Sequence, residues 1–138
     1  MDKVSKNNVS MSGKQKQIGV GQLVLFSKYF IDENISYKDG VFVIAKSGVY
    51  NVNFSVYLES LKMPSANLDV SAGSDSFVVS VKGIDDISTA HSMVIPCNFT
   101  KKFKKGDKLR IKNVSTGAIL LMPNYNNSIG SIISINGV

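Results

Sequence analysis

Cysteine is almost missing from this chain. The single Cys97 excludes an intrachain disulfide framework and any multi-cysteine metal site. Histidine also occurs once, as His91, and tryptophan not at all. His91 and Cys97 share one face of an alternating segment but lie about 20 Å apart along a strand. They cannot form a nucleophile–base pair within one straight strand, and each reads as a buried or interface residue. No G-x-S-x-G elbow, H-E-x-x-H pair or phosphate-binding loop is present. Charge is scarce too, at 19% of residues against 43% hydrophobic. That balance excludes intrinsic disorder, which combines low hydrophobicity with high charge. No apolar run approaches the ~20 residues of a membrane helix. Residues 1–17 lack an apolar core, so no secretory signal peptide and no membrane insertion are expected.

What is there is β-structure. Ala, Leu and Glu are thin, while Val, Ile, Ser, Tyr and Phe are plentiful. The 138 residues suit one domain. Residues 1–17, with four lysines and one aspartate, predict a flexible basic arm. Residues 18–138 predict the folded domain. Strands are expected at 21–30, 41–45, 49–59, 67–71, 77–81, 91–101, 108–113, 118–122 and 129–136. Asp39-Gly40, Ser47-Gly48 and Gly106-Asp107 mark turns between them. Pro96 places its strand at an edge or a bulge. The spacing predicts a β-sandwich or barrel.

The clearest alternation runs over residues 49–59. Tyr50, Val52, Phe54, Val56 and Leu58 fall on one face, and Asn51, Asn53, Ser55 and Tyr57 on the other. In the last strand Ile129, Ile133 and Ile135 form one face, and Gly130, Ile132, Ser134 and Asn136 the second. Both second faces are uncharged apart from Glu59. A solvent-facing strand surface normally carries Lys or Glu, so this surface predicts burial against another subunit.

The stretch Ile35–Tyr50 contains Gly40-Val41-Phe42, then Ser47-Gly48, then Tyr50 opening the long alternating strand. Further on come Phe103-Lys104-Lys105-Gly106-Asp107-Lys108-Leu109 and the closing Gly130-Ser131-Ile132-Ile133-Ser134-Ile135. In this order the segments resemble the jelly roll of complement globular heads and tumour-necrosis-factor-like domains, over residues 20–138. The chain looks most like bacterial versions, such as spore-surface glycoprotein heads, or phage-encoded relatives. The resemblance implies a ten-strand, two-sheet sandwich that forms a homotrimer. It implies that Asn53, Tyr57, Ile132 and Ser134 lie at the trimer interface, with Tyr57 and Ile132 near the axis. It also implies a core of Tyr50, Phe54, Val56, Leu109, Ile111, Ile133 and Ile135.

One local bias stands out. Lys101, Lys102, Lys104, Lys105, Lys108, Arg110 and Lys112 are seven of the sixteen basic residues, opposed within that stretch only by Asp107. They are candidate ligands for an anionic glycan or cell-surface polymer, presented three times in a trimer. Little aromatic interleaving accompanies them, which argues against single-stranded nucleic acid. The plain alternative is a solvated lysine-rich turn that protects a sheet edge. Asp75, Asp85 and Asp86 supply too few oxygens for Ca²⁺ and read as solvated loop charges. No catalytic residue, metal or cofactor is expected. The reading is a non-enzymatic trimeric module for surface recognition or adhesion on a spore, cell or phage particle; the alternative is a purely structural shell or decoration protein.

Overall fold

The computed structural model describes residues 8–11, 15–59, 65–82, 93–121 and 130–138. They form β1 (Asn8–Met11), β2 (Gln17–Ile18), β3 (Lys28–Ile31), β4 (Ile35–Lys38), β5 (Val41–Ile44) and β6 (Gly48–Leu58). After these come β7 (Ser65–Ala72), β8 (Asp75–Lys82), β9 (Met93–Phe103), β10 (Lys108–Asn113), β11 (Ile119–Leu120) and β12 (Ser131–Gly137). Among the described residues there is no helix, and hence none long and apolar enough to cross a membrane.

Ten strands make two five-stranded sheets, ordered β1-β3-β12-β6-β9 and β4-β5-β10-β7-β8. The short β2 and β11 pair separately. The alternation read from residues 49–59 decides which faces meet. Tyr50, Val52, Phe54, Val56 and Leu58 are all buried in β6. Ile133 and Ile135 of β12 lie beside them, and Leu109, Ile111, Leu68 and Val70 face them from the second sheet. The seven core residues that the resemblance implies, Tyr50, Phe54, Val56, Leu109, Ile111, Ile133 and Ile135, are all buried. Phe26 ties the layers together, with its ring 6.1 Å from Phe42 and 5.8 Å from Phe54.

The turns follow their chemistry. Asp39 and Gly40 both have positive φ, at 50° and 88°, which suits a two-residue hairpin. Register agrees, since Lys38 pairs with Val41 across it. A Cβ on Gly40 would sit 3.0 Å from that of Leu23, so close approach also demands glycine. Pro96 lies on β9, an outer strand of its sheet, where a missing N–H costs no ladder bond on the free side.

Three expectations need correction. Residues 21–30 are not one strand. Leu23 bridges Lys112, and the Val24 N–H donates to the Ile111 carbonyl at 2.8 Å, both in the second sheet. The chain then crosses at Leu25–Ser27 and enters the first sheet as β3. One apolar run serves both layers, so its alternation is broken where it crosses. Second, residues 35–38, outside the expected strands, form β4. Third, Asn8–Met11, inside the segment expected to be a loose arm, pair antiparallel with β3. They cover an edge that would otherwise present unpaired N–H and C=O groups.

Phe54→Ala removes a ring that is 1% exposed at the centre of the first sheet. The expected loss is about 3–5 kcal/mol, read from urea denaturation at fixed protein concentration. A loss under about 1 kcal/mol would contradict a packed core at this site.

Candidate functional site

The outer face of the first sheet is built by period-2 alternation. Turning Ile133 and Ile135 inward leaves Ile132, Ser134 and Asn136 outward on β12, all half-buried. Register then builds rows across the sheet. Lys28, Ile132, Ser55 and Pro96 form one, and Phe30, Ser134, Asn53 and Asn98 form the next. Tyr57 lies opposite Val94, both well exposed. Asn53, Tyr57, Ile132 and Ser134 therefore share one face, with Asn53 directly opposite Ser134. A shallow depression of about 180 Å³ is lined by Phe30, Asn53, Ser55, Ile132 and Ser134. Side-chain amides tie the surface laterally. The Asn51 amide donates to Asn98 Oδ1 at 2.9 Å and Thr100 Oγ1 at 3.0 Å, and the Asn136 amide to Ser134 Oγ at 2.9 Å. Lys28 and Lys102 stand on this face. Lys28 pairs with Ile132 of the central strand, its Nζ 5.2 Å over the Phe30 ring, and Lys102 lies beside Val49 near the other end. Phe30 was not singled out in the sequence; its signal was the alternation of Lys28-Tyr29-Phe30-Ile31 beside a strand whose position was unknown.

The basic segment does not form one patch. Lys101 points toward the second sheet and pairs with Asp75 at 2.5 Å. Asp75 is thus engaged, rather than a free loop charge. Lys102 faces outward from the first sheet. Lys104 and Lys105 occupy the β9–β10 turn, where backbone N–H groups donate to Asp107 Oδ2 at 2.8 Å and to Ser47 Oγ at 2.8 Å. Lys108, Arg110 and Lys112 are exposed on β10, opposite the buried Leu109 and Ile111. β10 belongs to the second sheet, so its cations do not crowd the outer face of the first.

No protein-family model matches the chain, and no curated protein matches it in sequence. Solved structures do match. The Eiger tumour necrosis factor of S. frugiperda superposes with a TM-score of 0.64 at 14% identity, covering 94% of this chain and 90% of that one. The globular domain of zebrafish complement 1qA gives 0.58 at 16% identity, covering 96% and 95%. The PRD1 vertex protein P5 gives 0.55 at 15% identity, covering 94% and 93%. The fold is the complement-head and tumour-necrosis-factor-like jelly roll.

In this jelly roll Cys97 sits on β9, paired in register with Phe54, with its side chain half-buried against the core. Burial pushes its thiol pKa up, opposite to what a nucleophile needs. His91, Asp85, Asp86 and Ile129 lie outside the described residues. Among the described residues no three His, Cys, Asp or Glu side chains come together as a metal site.

A raised thiol pKa means that the folded state favours the neutral form. The stabilisation is complete below the ordinary thiol range and is lost as pH rises through the raised value. Alkylation of Cys97 by iodoacetamide is expected to be slower in the native protein than in urea at neutral pH. The native rate should climb only above the ordinary thiol range. Equal native and unfolded rates at neutral pH would overturn this placement.

Proposed function

We propose that the chain is a non-enzymatic jelly-roll module that acts as a homotrimer at the surface of a particle or cell, where it recognises or adheres to a partner. The observation that carries this reading is the outer face of the first sheet. A monomer would hold Phe30, Ile132, Tyr57 and Val94 in water on a face whose strands carry only Lys28 and Lys102 as described charges. A second, largely apolar surface, bordered by the Lys101–Asp75 ion pair, supports self-association. At the β8–β9 edge Phe77, 37% exposed, meets Phe99 edge-on at 5.2 Å, with Val79, Val81, Met93 and Cys97 half-buried behind them. These two surfaces differ. Contact between unlike patches is heterologous, and such contact closes as a ring when the rotation permits. In this arrangement Asn53, Tyr57, Ile132 and Ser134 are interface residues.

The likeness to a viral vertex protein supports placement on a particle, and with it a second reading. The module then serves assembly itself, as a shell or decoration protein.

Sedimentation equilibrium at micromolar concentration is expected to give about 45 kDa, three times the 15.0 kDa chain. Ile132→Asp puts a carboxylate into the interface and is expected to give monomer or insoluble protein. A 15 kDa species for the unaltered chain sinks the proposal. An intact trimer carrying the Asp moves Ile132 out of the interface.

A further inference from the structure

The outer face of the second sheet is the more basic of the two. Lys108, Arg110 and Lys112 stand on β10 at successive outward positions. Such positions are about 6.8 Å apart, so the row spans roughly 14 Å. Each cation lies within about one Debye length of the next at physiological salt, and their fields add. Lys38 is exposed on β4, on the same face two strands away. Ser71 lies beside Arg110 on β7, and Ser76 of β8 lies beyond it, offering a hydroxyl donor.

The opposition is slight. Asp69 pairs in register with Lys112, and its carboxylate accepts from Ser71 Oγ at 3.1 Å. Among the described residues no hydrogen bond or ion pair engages the side chains of Lys108, Arg110 or Lys112. Edge protection does not account for the row either. Lysines guard outer strands against stray pairing, but β10 is the middle strand of five.

We propose that this row binds a linear polyanion, a polymer of phosphate or sulfate groups on a non-aromatic backbone. The inference rests on the surface-recognition reading and names its partner class. A straight row of cations on a flat face suits an extended chain laid along β10. No aromatic side chain stands on this face of the five strands, so bases would find nothing to stack on.

The test titrates the full chain against inorganic polyphosphate, dextran sulfate, neutral dextran and single-stranded DNA at rising NaCl. Short tripolyphosphate probes one row alone. Polyphosphate and dextran sulfate are expected to bind and neutral dextran is not. The salt slope should be about −2 to −3 per row for three contacts. Replacing Lys108, Arg110 and Lys112 together by Ser should weaken binding at least about tenfold. Replacing Lys102, Lys104 and Lys105 together by Ser removes the same charge elsewhere and should leave affinity within about twofold. Arg110→Ser alone provides the reading if the triple variant does not fold. Equal losses in the two triple variants would mean diffuse net charge only and would overturn the site. Equal or tighter binding of DNA would overturn the polymer class. Sedimentation of the same samples separates the two proposals. A monomer that binds tripolyphosphate keeps the row and loses the trimer; a trimer that binds neither polyanion keeps the trimer and loses the row.

Discussion

The pairing of β12 with its two neighbours holds the first sheet together. β12 runs antiparallel to β6 from Ser131 opposite Val56 to Gly137 opposite Tyr50, and parallel to β3 on its other side. Without it the sheet separates into a β1–β3 pair and a β6–β9 pair. Its register is pinned at both ends. At the start, Ser131 Oγ accepts the Ser27 N–H at 2.9 Å, and the Tyr57 N–H donates to the Gly130 carbonyl at 2.8 Å. At the finish, the Gly137 N–H donates to the buried Asp32 carboxylate at 3.3 Å, and the Val138 N–H to the Val49 carbonyl at 2.9 Å. A slip of one residue would turn Ile133 and Ile135 out and Ile132 and Ser134 in. These ties therefore decide which residues are core and which remain for contact.

The two outer faces then diverge because the chain changes sheets inside its most basic segment. β9 ends in the first sheet and β10 begins in the second, joined by the turn at Lys104–Asp107. Charges contiguous in sequence are divided by that crossing. Asp107 helps to hold the turn, where a Cβ on Gly73 would meet its carboxylate at 2.9 Å. The turn that links the sheets also separates a strongly cationic surface from one with few charges.

Much of this was legible in the sequence. β6, β9, β10 and β12 alternate cleanly, because each has one face in a continuous core and one outside. The composition of the interface candidates could be read, since period-2 patterning assigns a face without knowing its neighbours. What could not be read is lateral order. Phe30 enters the candidate face only because β3 lies parallel to β12, a pairing that joins residues about a hundred positions apart. The crossing at Leu25–Ser27 was hidden for a related reason. An apolar run buried on both sides of a sandwich has no period to show. β1 carried too little apolar pattern to predict a strand, and its pairing rests on the free edge of β3.

The location of the basic row bears on what its charges can do. A lysine on a loop without hydrogen bonds must be ordered, together with its backbone, when a partner arrives. Fixing backbone costs about 1–2 kcal/mol per residue. On β10 that cost is met during folding. Leu109 and Ile111 are fully buried beneath the row. Beyond it, the Asn113 side chain donates to the Ile18 and Gly117 carbonyls at 2.9 and 3.1 Å and accepts the Ser115 N–H at 2.8 Å. Only the outward side chains of Lys108, Arg110 and Lys112 remain to be ordered. The β9–β10 turn is itself held, by Asp107 Oδ2 and Ser47 Oγ, but Lys104 and Lys105 are adjacent residues on a bend and do not form a straight row. A rigid central strand fixes the spacing between contacts, and spacing is what distinguishes recognition of a regular polymer from attraction to any anion.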